Sequence, residues 1–286
     1  MPSFALLVLL ILCTPGPAPA DILEEVLEVP IRIRTIYGQE VEQDIKVTIF
    51  RDEQRAKAPY LVLNHGRPLN DAGIRAMKRQ RFPAVSRYFV SRGFVVIVPT
   101  RAGYGESGGK DVEHRGKCEN PRFAPAFSVA ADQIVEVLKF VRALRYVDTS
   151  RGLVVGQSFD GVIAITLSTK DVPGLAGAIN FAGGSKGNPL ERPGNPCGKA
   201  AMFNLLQEYG AKSKVPTLWL YSENDRLWGP NLPKEWFQGF IKAGGNGTFV
   251  PLPPFKEDGH GIFTGNPEAW KPVFEEFLRT VGLGSP

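Results

Sequence analysis

A serine occupies a predicted strand-to-helix junction in the segment Val154–Thr166, VVGQSFDGVIAIT. Apolar residues precede and follow the hexapeptide GQSFDG, so Ser158 lies at the tip of a turn between two buried elements. A serine hydroxyl is a weak nucleophile until a base removes its proton, and histidine suits that task because its pKa is close to neutrality. The segment therefore predicts either an ordinary turn or a presented nucleophile.

A base and an acid for this serine can be sought among few residues. The chain has three histidines, and only His260 follows the serine, in a predicted loop between the last strand and the last helix. A carboxylate must also orient the imidazole and stabilise its cationic form. Asp225, which follows the predicted strand VPTLWLYSEN, is the candidate for that carboxylate, and Glu223 and Asp258 are the alternatives.

The predicted elements indicate how these residues could meet. Val29–Ile36 and Val41–Phe50 alternate apolar and polar residues, as in an antiparallel hairpin. From Tyr60 onward, apolar runs of strand length alternate with stretches of helical spacing, which predicts an α/β fold with a mostly parallel sheet of about eight strands and helices on both faces. One helical stretch is expected over residues 72–92, with a break at Pro83 as the alternative.

Polar residues cluster at the carboxyl ends of the predicted strands, where open α/β sheets bind their ligands. They are Asn64–Arg67, Thr100–Arg101, Gln157–Ser158, Gly183–Ser185, Glu223–Asp225 and Asp258–His260. A G-x-G-x-x-G run at Gly103–Gly108 also follows a strand, but a dinucleotide site needs a helix directly after it. Polar loop instead continues to about Pro125, so nucleotide binding is not expected.

Five motifs resemble those of the α/β-hydrolase superfamily and occur in the same order, over essentially all of the sequence after residue 20. In chain order, NHGRP resembles the oxyanion loop, TRAGYGESGG the loop after the fourth strand, GQS the nucleophile elbow, SENDRLWGP the acid turn and DGHGIF the histidine turn. The order Ser158, Asp225, His260 is that of the superfamily's triad. The closest resemblance in type is to dienelactone hydrolases and to the cocaine esterase and X-prolyl dipeptidyl peptidase group.

This resemblance implies a serine hydrolase that uses no cofactor. Ser158 would be the nucleophile, His260 the base and Asp225 the orienting acid, with a small-molecule carboxylic ester as the substrate. A small peptidase or amide acylase would use the same chemistry, and both classes stay open. No metal site is predicted, because the histidines and cysteines are scattered along the chain.

The resemblance also implies an oxyanion hole built from backbone groups. The N–H groups of Arg67 and Phe159 are the expected donors to the developing negative charge. Because a backbone donor leaves the side chain unused, the Arg67 guanidinium is free to meet an acidic substrate. His65 is expected to hold the oxyanion loop.

Asp160 departs from the usual elbow, which has a small residue two positions after the serine. GQSFDG is similar to the Gly-x-Ser-Tyr-x-Gly version found in the cocaine esterase group, in which Gly161 supplies the close packing. We therefore expect Asp160→Gly to be tolerated and assign no role to the carboxylate. The alternative is a hydrolase-fold protein that binds without turnover, with Asp160 marking a disabled elbow.

The first twenty residues predict export. The apolar run Phe4–Cys13 is too short to span a bilayer with ease and is followed by Ala18-Pro19-Ala20, the pattern of a cleaved signal peptide. Cleavage after Ala20 would release residues 21–286 as a single hydrolase domain into the periplasm or the extracellular space. An uncleaved anchor or a buried N-terminal segment is the alternative.

The two cysteines that remain after cleavage, Cys118 and Cys197, can pair in an oxidising compartment. In the hydrolase sheet they would lie in the loops after the fourth and sixth strands, on both sides of the nucleophile. We expect a disulfide that ties down a lid, with two unrelated thiols as the alternative.

Composition sets further bounds. Of 286 residues, 43% are hydrophobic and 22% charged, and the net charge of +5 does not suggest a nucleic-acid partner. The basic stretch Arg75–Arg81 is expected as a solvated helix face, with a role in binding a substrate carboxylate as the alternative. No oligomeric state is predicted.

Overall fold

Eight strands form one mixed sheet in the computed structural model, which describes residues 21–35 and 37–284. The predicted signal peptide lies outside the described residues. The strands are β1 (Ile22–Arg34), β2 (Glu40–Asp52), β3 (Ala58–Asn64), β4 (Val95–Thr100), β5 (Val147–Gln157), β6 (Leu175–Phe181), β7 (Thr217–Ser222) and β8 (Gly247–Leu252). Their spatial order is β1-β2-β4-β3-β5-β6-β7-β8. The β1–β2 and β2–β4 pairs are antiparallel and the other neighbours are parallel, which confirms the predicted α/β-hydrolase sheet.

Helices cover both faces of this sheet. They are α1 (Asp71–Ala76), α2 (Pro83–Ser91), α3 (Phe123–Val141), α4 (Phe159–Ser168), α5 (Lys199–Lys212), α6 (Leu232–Lys242), α7 (Ile262–Gly265) and α8 (Lys271–Thr280). One apolar core contains buried residues of α3, α4, α5 and α6, and the other contains those of α2, α7 and α8.

The apolar strands explain why two separate cores form. In β5, Val154 belongs to one core, whereas Leu153 and Val155 belong to the other. Successive side chains of a strand point to opposite faces, so a continuous apolar run must be buried on both. The unbroken runs of β3, β4 and β5 therefore place these strands in the middle of the sheet.

The helical stretch expected over residues 72–92 is not a single helix, because α1 and α2 are separate and α2 begins at Pro83, where the alternative placed a break. Pro83 opens α2, and Phe82 before it has a φ of 47°. Between the helices, Gln80 N–H donates to Thr100 Oγ1 at 2.8 Å, and Thr48 Oγ1 donates to the Gln80 carbonyl at 2.8 Å. These bonds tie the segment to β2 and β4, so its backbone is engaged by the sheet and cannot form a helix.

The basic stretch Arg75–Arg81 is also placed differently from the expected helix face. The guanidinium groups of Arg79 and Arg81 both form ion pairs with the Glu24 carboxylate in β1. Two of its cations thus have a protein partner, which leaves them less available for a substrate carboxylate.

The register of the parallel strands brings their carboxyl ends to one edge. Asn64 lies beside Gly156, and Gln157 lies beside Phe181. The loops after β3, β5 and β6 therefore leave the sheet close together, at the edge where the sequence places its polar clusters.

Candidate active site

Ser158 lies in a strained turn between β5 and α4. Its φ of 61° and ψ of −126° are rare for a residue with a side chain, and such strain at a strand-to-helix junction is the geometry of a nucleophile elbow. The turn is possible because two glycines let helix and strand approach. A Cβ at Gly156 would lie 1.8 Å from the Asp160 carbonyl oxygen, and one at Gly161 would lie 2.7 Å from Gly183 Cα.

Ser158, His260 and Asp225 form a hydrogen-bonded chain. His260 Nε2 lies 3.0 Å from Ser158 Oγ, and His260 Nδ1 lies 2.9 Å from Asp225 Oδ2. A carboxylate only accepts, so Nδ1 carries the ring proton and Nε2 is the acceptor for the serine hydroxyl. The structure thus brings together the three residues that the sequence predicted, although they are as many as 102 positions apart.

The charges next to His260 favour the protonated form of its imidazole. Burial by itself lowers the pKa of His260, but the charge and hydrogen bond of Asp225, together with the charge of Asp258, outweigh burial and raise that pKa above its ordinary value. The imidazole is therefore a stronger base than a free histidine, and its cation is stabilised once the serine proton arrives.

The acid turn distinguishes Asp225 from the alternative carboxylates. Asp225 is almost fully buried, and its Oδ1 accepts hydrogen bonds from the N–H groups of Leu227 at 2.8 Å and Trp228 at 3.3 Å. Asp258 instead accepts from two backbone N–H groups, those of Arg226 and His260, each at 3.0 Å. Glu223 is exposed. Asp225 is the carboxylate that faces the imidazole, and Asp258 holds the histidine turn in shape.

The loop after β3 passes directly beside Ser158. A Cβ at Gly66 would lie 3.2 Å from Ser158 Cβ and 3.3 Å from the Gln157 carbonyl oxygen. Phe159 is the first residue of α4, where backbone N–H groups have no partner within the helix. Among the described residues, neither Phe159 N–H nor Arg67 N–H donates a hydrogen bond. Both predicted donors are thus unengaged, and each belongs to a residue next in the chain to Ser158 or to Gly66, which packs against Ser158.

His65 anchors the loop after β3, the predicted oxyanion loop, from within the protein. It is fully buried, and Arg101 N–H donates to its Nε2 at 3.2 Å, so the proton is on Nδ1, which donates to the Gly66 carbonyl at 2.8 Å. Burial, together with the nearby Arg101 guanidinium, lowers the pKa of His65 well below its usual range. The ring is therefore neutral and fixed, as expected from a structural role.

Asp160 has a partner that the sequence did not suggest. Its carboxylate and the guanidinium of Arg101 form an ion pair in which both side chains are fully buried. Arg101 also pairs with the buried Glu113, at 2.6 Å between Nε and Oε1. The expectation that Asp160 has no role is thereby revised. The unusual residue at position 160 was the only sequence feature that pointed to these ion pairs, because Glu113 belongs to no recognised motif.

The expected contact between Arg67 and an acidic substrate is not what the structure favours. The Arg67 side chain is only 4% exposed, and its guanidinium forms ion pairs with Asp111 and Glu113. It also donates to Tyr104 Oη at 2.6 Å. These acceptors engage both Nη1 and Nη2, the two nitrogens at the end of the guanidinium.

A cavity of about 520 Å³ lies next to this part of the oxyanion loop. It is lined by Tyr37, Arg67, Asp71, Asp111, Glu113, His114, Arg115, Gly116 and Lys186. Its walls carry charges of both signs, and Ser158, Asp225 and His260 are not among its lining residues. Arg67 is the lining residue nearest to α4 that the contacts identify, with its guanidinium 6.0 Å from the Phe159 ring. The cavity is large enough for part of a small-molecule substrate.

The predicted cysteine pair forms a disulfide. Cys118 and Cys197 are bonded, with their Cα atoms 5.4 Å apart, and they join the loop after β4 to the loop after β6. Lys186 Nζ makes a second link between the same loops, because it donates to the Gly116 carbonyl. Both loops border the cavity through Gly116 and Lys186.

The Gly103–Gly108 run folds as a closed turn. Gly103 N–H donates to the Gly108 carbonyl at 2.6 Å, and only one short 3₁₀ turn, Gly105–Ser107, lies within it. Ser107 Oγ anchors the turn by accepting from Lys46 N–H at 2.9 Å. Because α3 begins only at Phe123, the run lacks the adjoining helix that a dinucleotide site requires.

Comparison with known proteins agrees with this architecture. The model of the family described as the dienelactone hydrolase family matches residues 72–268. The chain belongs to the dienelactone hydrolase family. This membership supports a hydrolase and confirms the resemblance found in the motifs. No curated protein sequence matches the chain significantly.

Solved structures similar to this dienelactone hydrolase family member share its fold at low sequence identity. An acylaminoacyl peptidase from Pyrococcus horikoshii is 16% identical with a TM-score of 0.56, and the match covers 89% of this chain and 41% of that one. A puromycin-hydrolyzing peptidase from Mycobacterium tuberculosis is 15% identical with a TM-score of 0.60, over 91% of this chain and 40% of that one. An esterase from Pyrococcus furiosus is 13% identical with a TM-score of 0.55, over 89% and 90%. This chain therefore spans about two fifths of either peptidase and most of the esterase.

In residues 21–35 and 37–284, no helix is both long enough and apolar enough to cross a bilayer.

Proposed function

We propose that the protein is an exported serine hydrolase that cleaves a carboxylic ester through an acyl-enzyme. The observation that carries this proposal is the hydrogen-bonded chain from Ser158 through His260 to Asp225. An ester is favoured over an amide by the family, because a dienelactone is itself a cyclic ester. Residues 21–286 would act as one domain, since a single sheet runs through the described part of the chain.

Acylation begins when Ser158 Oγ attacks the acyl carbon and passes its proton to His260 Nε2. The Asp225 carboxylate stabilises the resulting imidazolium. Negative charge moves to the acyl oxygen, which accepts hydrogen bonds from Arg67 N–H and Phe159 N–H. The tetrahedral intermediate then collapses, and the leaving alkoxide takes the proton from His260.

Deacylation repeats these steps with water as the nucleophile. His260 Nε2 removes a proton from water as it attacks the acyl carbon, and returns that proton to Ser158 Oγ as the acid product leaves. The N–H groups of Arg67 and Phe159 serve the second oxyanion as they served the first.

A paired assay tests ester hydrolysis. Purified protein is given p-nitrophenyl acetate and butyrate and, in parallel, the p-nitroanilides of the same acids. We expect turnover of the esters and far slower turnover of the anilides, whose leaving group is poorer. Faster turnover of the anilides would point to a peptidase or acylase and contradict an esterase.

Labelling with a fluorophosphonate tests the elbow independently of substrate choice. The reagent should modify Ser158 in the intact protein and leave the Ser158→Ala variant unlabelled. An unlabelled wild-type protein that also turns over neither substrate would favour the alternative of a binding protein with a disabled elbow.

Export is supported by the signal-peptide pattern and by the Cys118–Cys197 bond, since disulfides persist in oxidising compartments. Expression of the full chain in a bacterial host should yield an exported protein whose first residue is Asp21, as read by N-terminal sequencing. Full-length protein retained in the cytoplasm would contradict export.

A further inference from the structure

Arg101 joins three segments that surround the nucleophile. Its Nη1 donates to the His65 carbonyl at 3.3 Å in the oxyanion loop and to the Asp160 carboxylate in the first turn of α4. Its Nε donates to Glu113 at 2.6 Å in the loop after β4. The guanidinium thus bridges the loop that carries one predicted oxyanion donor and the helix that carries the other. We name Arg101, Asp160, Glu113 and His65 the Arg101 clamp.

Each predicted oxyanion donor lies within two residues of a member of the clamp. Phe159 directly precedes Asp160, and Arg67 lies two positions after His65. Glu113 adds a further connection, because it also accepts from the Arg67 guanidinium at 3.4 Å. A shift in the clamp would therefore change the separation of the two N–H groups.

A contribution to folding stability does not by itself explain why Asp160 is buried at this position. Among the described residues, its Oδ1 has no hydrogen-bond partner, and its other oxygen depends on Arg101. A buried ion pair of this kind often contributes little to the free energy of unfolding, because desolvation offsets the attraction. Burial raises the pKa of Asp160, and the Arg101 guanidinium opposes that effect. A buried polar group left partly unsatisfied calls for an explanation.

We propose that the Arg101 clamp sets the spacing of the oxyanion hole, with Arg101 and Asp160 as positioning residues. This inference rests on the proposed function. The clamp holds the Arg67 and Phe159 N–H groups at the separation that fits the developing oxyanion, and it touches neither the substrate nor Ser158.

The Asp160→Asn variant separates a geometric role from an electrostatic one. Removing a negative charge near the hole would by itself favour the oxyanion. A loss of spacing would instead weaken an interaction made only in the transition state. We expect kcat for p-nitrophenyl butyrate to fall on the order of 10- to 100-fold, because misplacement by about 1 Å has an effect of that size. KM should change by less than about threefold.

The affinity for a transition-state analogue distinguishes a positioning role from a purely structural one, because only a positioning role should change it. Propyl trifluoromethyl ketone adds to Ser158 and forms a charged oxygen in the hole. Its affinity should fall in Asp160→Asn by the same factor as kcat/KM. The matched control is Asp148→Asn, which removes a carboxylate in β5 that pairs with Ser150 and Arg151, outside the clamp. The control should keep wild-type kcat and ketone affinity.

Amide hydrogen exchange tests whether Asp160 holds the two donor segments in place, and it does so even if no substrate is turned over. Peptides covering residues 60–67 and 158–163 should exchange faster in Asp160→Asn than in the wild type and the control. Wild-type kcat and ketone affinity in a folded Asp160→Asn, or unchanged exchange in both peptides, would overturn the clamp. An inactive wild-type protein would contradict the proposed function alone, because exchange still tests the clamp.

A second variant covers the case in which Asp160→Asn does not fold. Arg101→Lys keeps the positive charge but loses the planar fork that reaches three acceptors at once. It should show the same fall in kcat and ketone affinity with the same faster exchange, and wild-type values for it would equally overturn the clamp.

Discussion

At the scale of single residues, two carboxylates near His260 have different roles in the candidate site. Asp225 and Asp258 are both next to His260, but one accepts from the ring and the other from the backbone N–H. A carboxylate that bonds Nδ1 selects the tautomer with Nε2 free for the serine. A carboxylate that bonds the backbone fixes where the residue lies and leaves the choice of tautomer to Asp225.

Substitution of the two aspartates tests this division. Asp225→Asn should lower kcat by roughly 10⁴-fold, because an amide can stabilise the wrong tautomer of His260. Asp258→Asn should cost far less, since the bond between Asp225 and His260 Nδ1 stays in place and with it the productive tautomer. Both variants are compared with the wild type in p-nitrophenyl ester hydrolysis after active-site titration. A larger loss in Asp258→Asn would mean that the acid has been misassigned.

The pH dependence of activity follows from the raised pKa of His260. The free enzyme needs neutral His260 as its base, so kcat/KM should fall as the pH drops through that pKa. We therefore expect the acid limb of the profile to have its midpoint above about 6.5, the ordinary value for histidine. Asp258 also contributes to raising the pKa. The Asp258→Asn profile should shift to lower pH, and a wild-type midpoint below 6.5 would contradict this electrostatic account.

At the scale of elements, the junction of β5 and α4 depends on close approach. Gly156 and Gly161 leave no room for a side chain, whereas Asp160 lies between them and points toward Arg101. The larger residue at position 160 is therefore compatible with the turn, because the nearest contacts are made at the glycines.

Gly161→Ala measures the tightness of this junction. The added Cβ would lie 2.2 Å from Asn180 Oδ1 and 2.7 Å from Gly183 Cα. We expect the free energy of unfolding in urea to decrease by about 1–3 kcal/mol, as overpacking in a core usually costs. Gly261→Ala is the control, because a Cβ there meets nothing within 4 Å and its φ of −86° suits alanine. Equal stability of the two variants would show that α4 can move away from β6.

At the scale of the whole molecule, the sheet brings distant loops to one edge and the disulfide ties two of them. The loops after β4 and β6 contribute Gly116 and Lys186 to the cavity that borders Arg67. Their connection spans the strands that carry the oxyanion loop and Ser158. These two loops are the ones that we expect to form the lid.

Removal of the disulfide should destabilise the fold and loosen this edge. Cys118 and Cys197 are 79 residues apart, and closing a loop of that length stabilises a protein by about 4 kcal/mol in the chain-entropy model. The Cys118→Ser/Cys197→Ser double variant should lose stability of that order in urea unfolding. Wild-type protein treated with dithiothreitol should match it.

Kinetics on esters of increasing acyl length test the lid. If the tied loops narrow the entrance, the double variant should gain activity on long acyl chains relative to acetate. An unchanged preference for acyl length would remove the lid while leaving the disulfide's stabilising role in place.

Much of this protein could be predicted from local patterns. Continuous apolar runs in β3, β4 and β5 imply burial on both faces, and the glycines around Ser158 imply a tight turn, because both effects depend on near neighbours in the chain. The order of Ser158, Asp225 and His260 followed from the same motifs. The family membership and the fold agree with that analysis.

Long-range pairing of charges was decided only by the tertiary structure. Arg101 meets Asp160 across 59 positions, and Arg67 turns to Asp111 and Glu113 and not toward open solvent. The segment before Pro83 is not helical because β2 and β4 hold its backbone. Apolar periodicity reports which face of an element is buried, but a charged side chain can be paired by any loop that the fold brings within reach. Its partner is therefore set by three-dimensional proximity and not by sequence spacing.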